Sequence, residues 1–327
     1  MPFEDSLGRL AKGNADLHAS IELFNSANSP QRALSLFSAA AALRDERVGR
    51  EIKLHGHLGM VTTCPIDPPC LYCSVSSTSP ALLSERRALS IVKIREYVSL
   101  MERSGMGAVH LVGGTSLSGL DDRVREVVSA IREDTDIPLE IAVGPSLSLE
   151  TVRWLKMMGV FRIVCSLETL NAAAFAEAKP GDSLEKRIAF MRMLEEEGVQ
   201  LKSIVMNGLG STDDLIESIF YLNRFDNLTS LSISTFTPIE GTPWAKRSPA
   251  SAWDSLKAMA IARLLFPDAE VGLAFGGGGN LMPMTLMAGG GNTFMGMLMD
   301  NAKHVDNRAS IASCASSFGF EVRPGAV

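Results

Sequence analysis

Eight times in succession this 327-residue chain passes from a short apolar run into a longer stretch whose apolar positions recur with helical spacing. The runs cover residues 50–63, 108–112, 139–143, 162–167, 200–206, 230–236, 270–275 and 292–297. The helical stretches cover 88–104, 122–133, 149–158, 184–197, 213–224, 250–266, about 282–288 and about 307–318, with stops at Gly105 and Gly198. Parallel strands need helical crossovers, so eight alternations predict an α/β fold, a (β/α)8 TIM-type barrel whose working groups gather at the C-terminal strand ends. A doubly wound open sheet shares the alternation and stays open as the rival architecture. Upstream, residues 16–50 read as helical, and Pro30 after Ser29 suits a helix start. The expected organisation is an N-terminal helical cap over residues 1–48 and a barrel with its closing helix over 49–327. No fixed-period repeat or low-complexity linker argues for more.

The stretch between the first run and the first crossover helix carries the chemistry. Cys64, Cys70 and Cys73 form a C-x5-C-x2-C pattern, three of the five cysteines within ten positions. Three thiolates on one short loop can each hold one iron of a 4Fe–4S cube, leaving the fourth iron open to a small molecule. Structural zinc is the alternative; it needs a fourth ligand, and Cys165, His55 or His57 could supply one. An odd cysteine count without a secretory signal argues against a disulfide framework. Pro65, Pro68 and Pro69 fix φ at three of the five positions between the first two cysteines, so the loop can be stiff.

Composition narrows the partners. Hydrophobic residues make up 46% and charged residues 21%, enough for a sizeable core. A formal net charge of -6 and the lack of any basic run argue against a nucleic-acid surface and favour a small-molecule substrate. Glu4, Asp5, Arg9, Lys12 and Asp16 interrupt what would be a signal peptide, and the weakly charged residues 271–299 are broken by glycines and Pro283, so no membrane span is expected. Unpaired cysteines fit a reducing cytoplasm.

The Cys-Leu-Tyr-Cys end of the loop, residues 70–73, resembles the radical S-adenosylmethionine (SAM) superfamily. That resemblance implies a 4Fe–4S cluster on Cys64, Cys70 and Cys73, SAM on the open iron, Tyr72 against the adenine, and an electron donor such as ferredoxin or flavodoxin. The usual loop is C-x3-C-x2-C, so two residues are extra here. Gly113-Gly114-Thr115 after the second run resembles the Gly-Gly-Glu segment that receives the methionine amino group, where missing Cβ atoms permit close backbone approach. Glu168 and Arg187 resemble the biotin synthase and hydrogenase-maturase branch, in which a strand-end acid holds the ribose or amino acid and an arginine pairs with the carboxylate. Met206 in Met-Asn-Gly-Leu and Phe236 before Thr237-Pro238-Ile239-Glu240-Gly241-Thr242-Pro243 match further segments of that branch, as do residues 288–293. The likeness runs from about Gly49 to Gly296.

Within that branch the longer loop is similar to the radical SAM family of iron-guanylylpyridinol (FeGP) cofactor biosynthesis, which implies pyridinol-ring formation. Methylornithine synthase or hydrogenase-maturase chemistry, and a non-catalytic cluster carrier, are the alternatives. No catalytic residue is assigned. His55 and His57 could face the barrel interior and touch substrate or an auxiliary metal. Cys165 and Cys314 read as small hydrophobes. Gly276 to Gly279 lack the Gly-Lys-Ser/Thr ending of a phosphate loop and read as room at the barrel mouth.

Overall fold

The structure is a computed structural model and describes residues 3–73, 75, 87–274 and 281–323. Three helices come first, α1 (Phe3–Ala11), α2 (Leu17–Ser26) and α3 (Pro30–Arg47). Ser29 caps α3 by accepting from the Arg32 N–H, and Pro30 takes the first turn, where its missing N–H costs nothing. The alternation follows: β1 (Glu51–Leu58), α4 (Ile91–Arg103), β2 (Ala108–Val112), α5 (Asp121–Arg132), β3 (Leu139–Ala142), α6 (Leu149–Met157) and β4 (Val160–Val164). Then come α7 (Ala172–Ala178), α8 (Leu184–Glu196), β5 (Gln200–Asn207), α9 (Thr212–Tyr221), β6 (Leu228–Thr235), α10 (Ala252–Leu265), β7 (Glu270–Leu273), α11 (Met282–Met287) and β8 (Thr293–Met299). A hairpin strand β9 (His304–Asp306), α12 (Arg308–Ser317) and β10 (Glu321–Arg323) close the described chain.

The eight main strands form the expected barrel. Their order is β7-β6-β5-β4-β3-β2-β1-β8 with every neighbour parallel, while β9 lies antiparallel on β8 and β10 parallel on β1. Between β7 and β8 the described residues give a single bridge, Val271 to Gly291, whose amide donates to the Val271 carbonyl at 3.1 Å. Differences from expectation are local. β4 starts two residues early and stops at Val164, and α1, α7, β9 and β10 are too short to show a period. Phe275 and Gly276 to Gly279 lie outside the described residues.

Side chains alternate along each strand, so registered residues share a face. His57, His110, Glu140 and Arg162 are paired in sequence across β1 to β4, and Lys202, Ser230 and Glu270 across β5 to β7. These seven polar residues form the floor of the barrel interior. Two residues further along, Val112, Ala142, Val164 and Ile204 make an apolar ring, and the strand ends above it form the rim. Outside, α3 packs on α10 and α11, and α2 on α9 and α10. Phe3, Leu23, Leu36 and Phe37 belong to the same buried core as the barrel strands. Among the described residues no helix is long and apolar enough to cross a membrane.

Candidate active site

The cysteine loop leaves β1 and is laid across the end of β2. Val61 donates to the Val112 carbonyl at 3.0 Å and Gly114 to the Thr62 carbonyl at 3.3 Å. A Cβ on Gly114 would stand 2.2 Å from Cys64 Cα, so only glycine lets the two backbones meet here. Gly181 is the second such contact: a Cβ there would lie 2.2 Å from the Pro68 carbonyl oxygen. The far end of the loop is tied as well, with Leu71 donating to Ala178 at 2.9 Å and Trp244 donating to Leu71 at 3.0 Å. Cys70 is buried, Cys64 and Cys73 half-buried, and the Cys64 thiol lies 3.7 Å from the Thr115 carbonyl oxygen.

Beside the loop sits a compact ionic cluster. Lys179 Nζ lies 3.1 Å from Glu168 Oε1 and 3.5 Å from Asp182 Oδ2. Arg187 donates to Asp182 Oδ2 through Nε at 3.1 Å and Nη2 at 2.5 Å, and to the Ser166 carbonyl through Nη1 at 2.7 Å. Burial alone would lower Lys179, and Arg187 pushes the same way, but Glu168 leads the groups that hold it well above its ordinary value. Burial likewise works against Asp182 ionising, and Arg187 and Lys179 outweigh it, so its carboxyl titrates below the usual range. Glu168 itself has φ of 65°. A left-handed glutamate is uncommon and strained, and such residues cluster at working sites.

A small apolar cluster adjoins: Ala178, Leu209, Phe236 and Trp244 are buried together, with Leu71, Tyr72 and Met206 packed on them. Tyr72 and Phe236 rings lie 6.0 and 5.7 Å from Trp244, and Lys179 stands 5.9 Å over the Tyr72 ring. The Tyr72 hydroxyl is buried and has no hydrogen-bond partner among the described residues. From this rim a cavity of about 690 Å3 runs down the barrel, within the range of small-molecule and cofactor sites.

The radical SAM superfamily profile matches residues 59–222, just over half of the chain and the part that carries the loop and the ionic cluster. The chain belongs to the radical SAM superfamily. An uncharacterized Methanocaldococcus jannaschii protein, MJ0785, is 29% identical over 240 residues, 73% of this chain and 63% of that one. The FeFe-hydrogenase maturase subunit HydE of Thermotoga maritima is 26% identical over 240 residues, 72% of this chain and 67% of that one. The chain thus spans a little under two thirds of the M. jannaschii protein. In fold, the crystal structure of methylornithine synthase (PylB) superposes with a TM-score of 0.83 at 20% identity, covering 97% of each chain.

Radical SAM enzymes use a 4Fe–4S cluster and SAM, and the residues present fit both. Three thiols are carried by one loop pinned at both ends. Burial raises the Cys70 thiol to about 11 and raises Cys73 too; Lys179 opposes the rise at both, while Cys73 adds to it at Cys70 and Cys64 at Cys73. The thiols therefore sense one another. Three thiolates from one loop are the donor set that an iron–sulfur cube takes from a protein.

Of the residues singled out in the sequence, Gly113, Thr115, Glu168 and Arg187 line the cavity. Gly114 lies under Cys64, and Tyr72, Met206 and Phe236 share the adjoining apolar cluster without lining the cavity. His57 lines the cavity lower down and His55 is buried. Cys165 is fully buried, its thiol pushed up to about 12 by burial and pointed at the Arg187 carbonyl, so it is inert. The sequence reading missed Lys179 and Asp182 as site groups, and Trp244. The signal for the first two was their place between Glu168 and Arg187; for Trp244 it was the Gly241-Thr242-Pro243 turn that ends on it.

Proposed function

We propose that Cys64, Cys70 and Cys73 hold the cluster, that the rim holds SAM, and that the enzyme takes a hydrogen atom from a small substrate inside the barrel, in pyridinol-ring formation for the FeGP cofactor. The observation that carries the site assignment is the seating of the thiol loop on Gly114, with Thr115 beside it opening into the cavity. The C-x5-C-x2-C spacing carries the finer reading. When bound, cluster and SAM together supply a 5'-deoxyadenosyl radical by one-electron reductive cleavage of the sulfonium bond, the electron coming from a donor such as ferredoxin or flavodoxin.

The protein's own part is binding, orientation and exclusion of water. Arg187 has five N–H groups, and Asp182 and Ser166 occupy three. The remaining two, fixed in direction by those bonds, are available for the SAM carboxylate. Glu168 gives one oxygen to Lys179 and keeps the other for an ammonium or a ribose hydroxyl. Tyr72, Met206, Phe236 and Trp244 offer an apolar seat for the adenosyl group. The ring of Val112, Ala142, Val164 and Ile204 lines the cavity between rim and floor, so a substrate must be held in place there by shape and by the groups above and below.

The similarity to HydE favours hydrogenase-maturase-type chemistry as the second reading. Reduced, anaerobically reconstituted protein incubated with SAM and candidate precursors separates the readings. Formation of 5'-deoxyadenosine, methionine and a pyridinol supports the first; deoxyadenosine without a pyridinol from any precursor sinks it. Stable cluster with no cleavage of SAM points to a cluster carrier in a reducing cytoplasm.

A further inference from the structure

The floor of the barrel has a charge balance and a set of unused hydrogen-bonding positions that the rim chemistry does not explain. Three groups converge on Glu140: Arg162 Nε, His110 Nδ1 and Lys202 Nζ, the last at 3.1 Å. Arg162 also reaches Glu270 Oε2 at 2.8 Å. Two carboxylates thus face two cations, and the histidines are held neutral by burial, so the floor carries no net charge. Two of these groups are under-used, and both line the cavity. Lys202 has three N–H groups and, among the described residues, one acceptor, Glu140. Glu270 has one oxygen on Arg162 and, among the described residues, no donor on the other. The Ser230 and Ser232 side chains line the same wall.

A neutral site with a spare cationic donor on β5 and a spare anionic acceptor two strands along on β7 is matched by a ligand of the same kind. A bare anion or cation would leave a net charge inside the barrel, and an apolar ligand would leave Lys202 and Glu270 without partners and so weaken its own binding. We propose that the barrel floor binds the substrate and that the substrate is a small amino-acid zwitterion, its carboxylate on Lys202 and its ammonium on Glu270. This rests on the radical SAM reading of the rim. The substrate's carbon chain then points up into the ring of Val112, Ala142, Val164 and Ile204, between the floor and the SAM seat.

The test uses cluster-loaded, SAM-bound protein under anaerobic conditions. The proteinogenic amino acids are screened by ligand-observed NMR, each beside its α-amide and its α-hydroxy acid, and 5'-deoxyadenosine is measured in parallel. At least one amino acid should bind at least about tenfold more tightly than either analogue, since each analogue leaves one buried charge unpaired. Lys202→Met should erase the preference over the amide, and Glu270→Gln the preference over the hydroxy acid. In both variants the response of the cluster's EPR signal to SAM should be unchanged. The proposal is overturned if no amino acid is preferred over its analogues in the unmodified protein, or if the preferences survive both substitutions. The unmodified protein decides the question even where a variant fails to fold. Loss of the EPR response to SAM in the unmodified protein would sink the rim reading instead, and the NMR comparison needs no SAM cleavage.

Discussion

Two ionic clusters, each of two cations and two carboxylates, occupy opposite ends of the same barrel, and they are assembled in different ways. The rim cluster, Glu168, Lys179, Asp182 and Arg187, comes from twenty consecutive residues around α7. The floor cluster, Glu140, Arg162, Lys202 and Glu270, takes one residue from each of β3, β4, β5 and β7. The local cluster hangs on one connection, and its strained member, the left-handed Glu168, is held by β5: it donates to the Ile204 carbonyl and accepts from the Met206 N–H, both at 2.8 Å. A cluster drawn from four strands exists only when the whole barrel is closed, so its loss is felt by the whole fold. Lesions at the rim should therefore act first on cofactor and activity, and lesions at the floor first on stability.

The largest expected effect is at the rim. Cys70→Ala removes one of three thiols from the loop, and iron content and deoxyadenosine formation should both be abolished. The urea midpoint of the metal-free protein should move little, because Cys70 belongs to neither ionic cluster. Equal iron content in variant and parent would remove Cys70 from the ligand set and break the division. At the floor, Glu140→Gln leaves Arg162 and Lys202 around an uncharged amide, and uncompensating a buried pair costs about 3–5 kcal/mol. Urea unfolding should show that loss, and a variant as stable as its parent would show that the floor network does not hold the barrel.

Gly114→Ala tests the boundary between the two regimes. The new methyl group would meet Cys64 Cα at 2.2 Å, so the loop must shift, at about 1–3 kcal/mol. Because the strain is local, it should show as lowered iron retention on dilution against a chelator, with a smaller change in the urea midpoint than Glu140→Gln gives. A drop in midpoint with iron fully retained would reverse the assignment of this contact.

The same contrast explains what could be read in advance. The barrel was legible because each of its eight repeats carries its own period and stop signal. The rim was legible because its residues stand in short segments at fixed spacing: Gly113 to Thr115, Glu168 with Arg187, Met206 with Gly208. Lys179 and Asp182 escaped because a lysine and an aspartate in a connection look like any solvated pair until the fold buries them. Of the floor, only His57 drew attention, because His55 stands two residues before it. Glu140, Arg162 and Lys202 are each the one charge inside an otherwise uncharged run, where a single charge gives no clue to its partner on another strand. The β4 boundary failed for a related reason: the apolar run continues through Leu167, but the regular strand ends at Val164 and β5 is met again only at a single bridge, at the left-handed Glu168.

The smallest effect is the most selective probe of the floor. Burial pushes His55 down to about 4, with Arg162 and Lys202 acting in the same direction and Glu270 and Glu140 against it; burial, His110 and Lys202 push His57 to about 3. A histidine held below its unfolded value of 6.5 leaves the folded state short of a proton that the unfolded chain binds, so stability is greatest above that value and falls as the pH falls towards 4. The slope is at most about 1.4 kcal/mol per pH unit for each histidine. Glu140 acts in a lower window: burial opposes its ionisation, but Lys202, Arg162 and His110 hold it well below 4.5, so its contribution is lost only in stronger acid. Urea unfolding between about pH 5 and 6.5 therefore reads the histidines alone among the floor groups. His55→Gln should remove one proton's worth of slope there while leaving iron content and SAM binding unchanged. If the slope persists in that variant, His55 is not buried in its neutral form, and the floor is more open to water than its charge balance requires.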